Sequence, residues 1–129
     1  MSDTHPIETD DAPSGDNPYS QGVRTDGTLY VSGYGPVDPK TDEPVDGDIR
    51  SQTEQVLENV AAVVAAAGGD GLTDVVKVTV YLTDLETYDR VNEAYGECFE
   101  DDPPARVCVE VSRLPGDVRV EMDAIASLD

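Results

Sequence analysis

Few side chains in this sequence stand out as able to bind or transform a small molecule, because carboxylates typical of a solvated surface are its most frequent polar side chains. The best candidate is Arg106, which follows the rigid segment Pro103-Pro104-Ala105 and opens the alternating run Val107-Cys108-Val109. A guanidinium presents a planar fork of N–H donors that binds a carboxylate bidentately, a geometry that lysine cannot match. Arg106 is therefore predicted to anchor a small anionic substrate. The alternative is an ordinary ion pair between Arg106 and a nearby acidic side chain.

The remaining candidates carry a hydroxyl, an amide, a thiol, a carboxylate or an accessible backbone. They are Tyr19, Ser32, Gly33, Asn92, Cys108 and Glu121. Glu121 stands between Val120 and Met122, so its carboxylate could be partly desolvated and could orient or deprotonate a water. Because the chain has 28 acidic residues, this pattern alone does not single out Glu121. Structural alternatives stay open for two others: a local hydrogen bond for Asn92 and close backbone packing for Gly33.

The histidine and cysteine content excludes several classes of mechanism. His5 is the only histidine, and nucleophilic systems of the Ser-His-Asp or Cys-His type need a positioned imidazole. Cys98 and Cys108 are the only cysteines, too few for a disulfide framework and without the spacing of a metal site. The phosphate-binding patterns GxxxxGK(S/T) and GxGxxG are both absent. The sequence thus offers neither a metal site nor a phosphate loop.

The charge of the chain is strongly acidic, with a formal net charge of -20 and only two lysines, Lys40 and Lys77. So many like charges repel one another in dilute buffer, but in molar salt the Debye length falls to about 3 Å and screens the repulsion. We interpret the acidity as adaptation to a salt-rich cytoplasm; the alternative is an acidic face that docks a basic partner. The same charge argues against nucleic acid, whose phosphates need clustered Lys and Arg.

Length and hydropathy favour a single domain over residues 1–129. No apolar run approaches the roughly 20 residues of a membrane span, and the N-terminus lacks the regions of a signal peptide. We therefore expect no membrane association and a cytoplasmic location. Residues 1 to about 16 are polar and acidic, and their composition predicts a mobile tail.

Turn signals and hydrophobic periodicity predict the element order ββ-α-β-α-ββ. Asp26-Gly27 indicates a hairpin between residues 19–24 and 28–32, since both turn positions tolerate positive φ. Residues 75–83 alternate between apolar and polar side chains, which predicts a half-buried strand. Two helices complete the order, one after an Asp48 cap and ending at Gly68-Gly69, and one after an Asp84 cap and ending near Phe99.

The last two strands, 106–111 and 118–123, are predicted to pair with each other because the turn-forming residues 114–117 join them. In the first of them the valines form a packing face, whereas Arg106 and Cys108 lie on a polar face. Two helices are too few to cover both faces of a sheet of about six strands. We therefore expect another subunit to cover one face, with Arg106 and Cys108 facing that partner chain.

Short motifs in order from about Ile7 to Ala126 resemble the RidA/YjgF family of reactive intermediate deaminases. They include Asn17-Pro18-Tyr19-Ser20-Gln21, Tyr30-Val31-Ser32-Gly33, Gly47-Asp48-Ile49, Tyr81-Leu82-Thr83-Asp84, Val91-Asn92, Pro104-Ala105-Arg106 and Val120-Glu121. Each motif is weak alone, whereas the ordered set is specific. One departure is Tyr34, which follows Ser32-Gly33 where the family has glutamine. A larger ring near the cleft could shrink or reshape the pocket, which leaves the substrate range open.

The resemblance implies a chorismate-mutase-like α+β fold with a mixed sheet of about six strands and two helices on one face. It also implies a homotrimer with clefts between subunits, and an ordered opening segment that leaves only residues 1 to about 6 as a flexible acidic tail. The implied activity is hydrolysis of short 2-imino acids, such as 2-iminobutanoate and 2-iminopropanoate, to 2-keto acids and ammonia without any cofactor.

The same resemblance implies a role for each candidate residue. Arg106 holds the substrate carboxylate and Glu121 positions the attacking water. Ligand contacts are implied for Tyr19, Ser32, Gly33, Asn92 and Cys108. The strand register, however, cannot be read from the sequence, so the distance between Arg106 and Glu121 is not predicted. Two other functions stay open: a non-catalytic trimer that binds small carboxylates as a sensor or carrier, and a ribonuclease or translation-associated role, against which the charge counts.

Overall fold

A computed structural model describes residues 4–129, which form a six-stranded mixed sheet with two α-helices on one face. In chain order the elements are β1 (Thr4–Ile7), β2 (Gly22–Thr25), β3 (Thr28–Tyr34), β4 (Val37–Asp38), β5 (Glu43–Pro44), α1 (Ile49–Ala66), β6 (Val75–Leu82), α2 (Tyr88–Cys98), β7 (Ala105–Glu110) and β8 (Val120–Ser127). The order across the sheet is β1-β2-β3-β8-β6-β7, and β4 and β5 form a separate ribbon. The predicted α+β class, mixed sheet and helix number are confirmed.

The first helix packs on the sheet through a stripe of buried apolar side chains. Asp48 caps α1, because its Oδ1 accepts a hydrogen bond from the Ser51 backbone N–H at 3.0 Å. The fully buried side chains of the stripe include Val56, Leu57, Val60, Val63 and Val64. Each contributes roughly 1.5–3 kcal/mol of hydrophobic stabilisation. The stripe therefore fixes α1 over the sheet and leaves the opposite sheet face uncovered.

The second helix joins two parallel neighbours, β6 and β7. Parallel strands need a crossover connection, and α2 supplies it. Asp84 caps this region by accepting a hydrogen bond from the Glu86 backbone N–H at 2.9 Å. The first turn is a short 3₁₀ helix, Leu85–Thr87, and the α-helix begins at Tyr88. The predicted helix is confirmed, with its start shifted by that turn.

The predicted pairing of the last two strands is wrong. β6 lies between β7 and β8, pairing parallel with β7 and antiparallel with β8. Residues 115–117 are not a hairpin turn but a short 3₁₀ segment, with Gly116 at φ 77°. This segment carries the chain past β6, so that β8 can enter the centre of the sheet between β3 and β6.

The predicted faces of β7 are also inverted. Val78 of β6 is buried against the helices and pairs with Arg106, so Arg106 and Cys108 lie on the helix-covered face. Val107 and Val109 lie on the uncovered face and are 45% and 39% exposed. Alternation separates two faces of a strand, but it cannot tell which of them a helix covers. The uncovered side of β7 is thus apolar.

The N-terminal region is more ordered than expected. Thr4–Ile7 form β1, which pairs antiparallel with β2. The expected flexible tail is therefore wrong for residues 4–6, and its first three residues lie outside the described part of the chain. Gln21 holds the segment that follows, because its Nε2 donates to the carbonyl oxygens of Thr9 at 3.0 Å and Ala12 at 3.1 Å.

Neither α-helix in the described residues is long and apolar enough to cross a membrane.

Candidate active site

The candidate site residues fall into two groups on opposite faces of the sheet. Tyr81 of β6 pairs with Glu121 on one side and with Val109 on the other, and all three lie on the uncovered face. Arg106 pairs with Val78 on the helix-covered face. We call the group on the uncovered face, Tyr19, Ser32, Gly33 and Glu121, the glutamate cluster. The group beside α2, Asn92, Arg106 and Cys108, is the arginine cluster.

The glutamate cluster lines an open depression of about 380 Å³, together with Asn17 and Pro115. Ser32 is fixed in this wall because its hydroxyl donates to the Ser20 carbonyl at 2.5 Å and its N–H donates to the Gln21 carbonyl at 3.0 Å. Tyr19 is 62% exposed and leaves its ring and hydroxyl accessible to a ligand. The structure thus brings together four of the predicted residues.

Gly33 makes room for the Glu121 carboxylate. The pairing of β3 with β8 is irregular between Val31 and Tyr34, and Gly33 lies within that irregularity. A Cβ atom at Gly33 would stand 2.5 Å from Oε2 of Glu121, which is closer than real Cβ contacts. The absence of a side chain therefore lets the carboxylate lie against the strand. The structural alternative for Gly33 is close backbone packing. Gly33 is closely packed, and the group that it packs against is the carboxylate of Glu121, a candidate catalytic group.

The carboxyl of Glu121 is electrostatically perturbed. Burial raises its pKa above the ordinary value of 4.5, and the nearby Asp123 charge adds to the rise. Asp123 itself accepts a hydrogen bond from the Tyr81 hydroxyl at 3.0 Å. A carboxylate with a raised pKa is a stronger base than an ordinary glutamate, so it is better suited to take a proton from a water.

The arginine cluster is built around the guanidinium of Arg106, which contacts two aromatic rings of α2. Nη2 of Arg106 donates to the Tyr88 hydroxyl at 3.1 Å. Cζ lies 5.5 Å from the Tyr88 ring centroid and 4.9 Å from the Tyr95 ring centroid, within the range of cation–π contact. These contacts hold the guanidinium beside the edge strand β7.

Arg106 keeps its charge available to a ligand. Within residues 4–129, no carboxylate oxygen lies within 4.0 Å of its guanidinium, although the chain has 28 acidic residues. Arg50 shows the contrasting case, with ion pairs to Glu93 at 2.7 Å and Glu97 at 3.0 Å. The ordinary ion pair that was the alternative for Arg106 is therefore absent from the described residues.

Asn92 and Cys108 flank the guanidinium. Asn92 follows Tyr88 by four residues and precedes Tyr95 by three, so it lies on the same face of α2. Among the described residues its half-buried amide has no hydrogen bond, so the local bond that was its alternative is not present. Burial raises the pKa of the Cys108 thiol, and the Arg106 charge partly offsets the rise. Cys108 therefore offers a neutral thiol and not a nucleophilic thiolate at neutral pH.

Tyr34, the departure from the family motif, lies in the core next to the glutamate cluster. It pairs with Met122, is 5% exposed, and burial raises its pKa to about 12. It lines a second open depression of about 390 Å³ that Gly33 and Glu121 also border. Only a small part of Tyr34 reaches that depression, and its effect on substrate range stays a prediction.

Sequence reasoning missed the two tyrosines that contact Arg106. Both lie on α2, where Tyr95 is 6% exposed and Tyr88 is 37% exposed. Their spacing around Asn92 is the signal that could have revealed one polar-aromatic face on α2.

No group of three or more His, Cys, Asp or Glu side chains in the described residues could hold a metal ion.

Together, the fold and the clusters define a small α+β protein with an arginine on one sheet face that has no ion pair among residues 4–129, and a glutamate of raised pKa on the other. The chain belongs to the family described as Endoribonuclease L-PSP, whose model matches residues 9–128. This is the family of the RidA, YjgF and RutC proteins, which confirms the resemblance read from the sequence.

Individual relatives cover almost the whole chain. A RutC family protein of Pyrococcus horikoshii is 52% identical over 120 residues, 93% of this chain and 94% of that protein. TdcF of Escherichia coli, named provisionally as a reactive intermediate deaminase, is 43% identical over 93% of this chain and 94% of its own. The crystal structure of TdcF with bound serine has a TM-score of 0.91 at 41% identity, covering 97% of this chain and 99% of that one. The crystal structure of the YjgF gene product of E. coli has a TM-score of 0.92 at 43% identity, with coverage of 97% and 99%.

Proposed function

We propose that this protein is an imine deaminase, a hydrolase that acts on the C=N bond of short 2-imino acids such as 2-iminobutanoate and 2-iminopropanoate. The observation that carries the proposal is the guanidinium of Arg106, which has no ion pair within the described part of a chain of net charge -20. Such a group suits a substrate carboxylate, for which it offers a bidentate fork. The name of TdcF and the serine bound in its crystal structure support a small amino-acid-like ligand.

The reaction needs positioning more than a strong nucleophile. An imine, especially when protonated, is already electrophilic at carbon. A water held by Glu121 adds its oxygen to the imine carbon while the carboxylate accepts the proton that the water loses. Glu121 returns that proton to the nitrogen, which gives a carbinolamine. The hydroxyl proton of the carbinolamine then passes through the same carboxylate to the nitrogen as the C–N bond breaks, which releases ammonia and leaves a 2-keto acid. Tyr19, Ser32, Gly33, Asn92 and Cys108 complete the walls of the site. No metal or organic cofactor takes part.

A complete site requires two copies of the chain, because Arg106 and Glu121 lie on opposite sheet faces. We infer a homotrimer in which the uncovered faces pack inward and each cleft joins the arginine cluster of one copy to the glutamate cluster of another. The exposed apolar side chains of that face support this packing: Tyr30 at 50%, Val107 at 45% and Val109 at 39%. The acidity fits assembly in a salt-rich cytoplasm, where the repulsion between copies is screened.

The deciding experiment couples an amino-acid oxidase to semicarbazide trapping of the imine, at low and at molar KCl. Active protein shortens the imine lifetime and lowers the yield of semicarbazone, more strongly in molar KCl. Arg106→Ala is expected to lower kcat/KM by about a hundredfold or more, because hydrogen bonds to a charged group are lost. Glu121→Gln is expected to lower kcat by about 10²- to 10⁴-fold. Arg50→Ala is the matched control, since it removes an arginine that is already paired. An unchanged imine lifetime, or an Arg106→Ala variant as active as the parent, would contradict the proposal.

A second candidate is a non-catalytic trimer that binds small carboxylates, as a sensor or carrier. Arg106 would serve this function equally well, and only turnover separates the two. A ribonuclease role, which the family description suggests, is disfavoured by 8 basic residues against 28 acidic ones. Retention of the protein on RNA at physiological salt would revive it.

A further inference from the structure

The arginine of the candidate site is held in place by neutral groups. The Tyr88 hydroxyl accepts a hydrogen bond from Nη2 of Arg106 at 3.1 Å, and the rings of Tyr88 and Tyr95 flank the guanidinium at 5.5 and 4.9 Å. A carboxylate in the place of Tyr88 would fix the side chain equally well but would neutralise the charge that the ligand needs. Aromatic faces and a hydroxyl fix the side chain while leaving its net charge intact.

The two tyrosines do not contribute equally. Only the Tyr88 hydroxyl bonds to Arg106, and it takes one of the five guanidinium N–H donors. The Tyr95 hydroxyl is buried and has no hydrogen-bond partner among the described residues, so Tyr95 acts on Arg106 through its ring alone. A single fixed donor leaves a second edge of the fork free for a bidentate ligand.

We propose that Tyr88 is a positioning residue that holds the Arg106 guanidinium in the orientation which receives a carboxylate. This inference rests on the proposed function, since it assigns Arg106 to a carboxylate ligand. Tyr88 lies at the first turn of α2 and is 37% exposed, so its hydroxyl is accessible from the edge of the sheet. It acts through Arg106 and is not itself a catalytic residue.

The chain offers a matched pair of variants. Tyr88→Phe removes the hydroxyl that bonds to Arg106 and keeps the ring, whereas Tyr95→Phe removes a hydroxyl that bonds to nothing described. Calorimetric titration with 2-ketobutanoate is expected to show about tenfold weaker binding for Tyr88→Phe. Tyr95→Phe should bind within about twofold of the parent, because it loses no hydrogen bond. The unfolding temperature of Tyr88→Phe should stay close to that of the parent, since the lost bond is at the surface.

Two further titrations separate positioning from a general structural effect. The neutral analogue 2-ketobutanamide should bind the parent and Tyr88→Phe equally, because it carries no charge for Arg106 to bind. In an Arg106→Ala background, Tyr88→Phe should cause no further loss of 2-ketobutanoate binding. In turnover, Tyr88→Phe should raise KM more than it lowers kcat.

The outcomes distinguish this inference from the function on which it rests. If Arg106→Ala loses 2-ketobutanoate binding but Tyr88→Phe binds like the parent, the positioning role of Tyr88 is wrong. The assignment of Arg106 to the ligand carboxylate is then still supported. Equal losses with the acid and the amide, or a further loss in the Arg106→Ala background, would also overturn the positioning role. If Arg106→Ala binds 2-ketobutanoate like the parent, the anchor itself is wrong.

Discussion

The arginine and glutamate clusters carry opposite charges, and the surroundings of the two charges differ. Arg106 is a cation in an acidic chain, and among the described residues it contacts neutral aromatic groups of α2 and no carboxylate within 4.0 Å. Glu121 is a carboxylate on an acidic sheet face, and the missing side chain of Gly33 lets it lie partly buried against β3. In the arginine cluster, tyrosine side chains surround the charge, whereas in the glutamate cluster a glycine without a side chain makes room for it. Both charges lack an ion pair among residues 4–129, which suits the proposed site between two copies.

The two clusters also differ in what they do to stability. The ring contacts of Arg106 favour the folded state through packing and cation–π attraction. Glu121 acts in the other direction, because its pKa in the folded chain is raised above the ordinary 4.5. The folded state then binds its proton more tightly than the unfolded state. Stability is therefore lost as the pH rises through the window above 4.5, and the ionised carboxylate at neutral pH opposes folding.

The largest expected effect tests whether Arg106 of one copy and Glu121 of another copy form a single site. Arg106→Ala and Glu121→Gln are each expected to be nearly inactive as pure trimers. After mixing in equal amounts, unfolding and refolding, about three quarters of the trimers contain both variants, and each mixed ring has one cleft with both native residues. About one quarter of the parent imine-hydrolysing activity should therefore return.

A doubly substituted chain supplies the control for that mixing experiment. Arg106→Ala with Glu121→Gln in one chain, refolded with parent chains under the same conditions, reports how well refolding and exchange proceed. If the two single variants restore no activity while this control exchanges normally, both residues of a site come from one chain. The two-copy division of the site would then be wrong.

The sequence predicted the contents of the two clusters better than their positions. Periodicity located α1, β6 and the hairpin at Asp26, because each of these depends on local side-chain patterns and turn conformations. It failed where long-range contacts decide, since the turn-forming residues 114–117 predict a direct pairing of the two strands that they join, and these strands are not neighbours in the sheet. Only the insertion of β8 between β3 and β6 determines which face carries Glu121. Tyr88 was missed because an aromatic residue at helical spacing usually indicates core packing.

A smaller effect tests how Gly33 prepares the glutamate cluster. In Gly33→Ala the new Cβ would overlap Oε2 of Glu121, at 2.5 Å, and the flexible carboxylate should move away. We expect kcat for imine hydrolysis to fall between about ten- and a hundredfold, because a misplaced catalytic group loses orientation. Binding of 2-ketobutanoate should change far less, since Arg106 is untouched.

The control for this substitution is Gly96→Ala on α2. A Cβ there meets no atom within 4 Å, so the change alters only backbone freedom and helix propensity. It should leave kcat unchanged and raise the unfolding temperature slightly. A Gly33→Ala variant with full kcat would show that the close approach of Gly33 to Glu121 has no catalytic purpose.

The smallest expected effect concerns Asp123, whose charge is the second cause of the raised pKa of Glu121, after burial. Asp123→Asn removes that charge but keeps an oxygen that can accept the hydrogen bond from Tyr81. The pKa of Glu121 should fall. Because Glu121 acts as a base in its ionised form, the acid limb of the kcat–pH profile should move to lower pH by less than about one unit. Glu58→Gln on the exposed face of α1 removes the same net charge far from the cluster and should leave the limb in place. A shift in both variants would trace the raised pKa to the charge of the whole chain, whereas a shift in Asp123→Asn alone would trace it to the neighbour on β8.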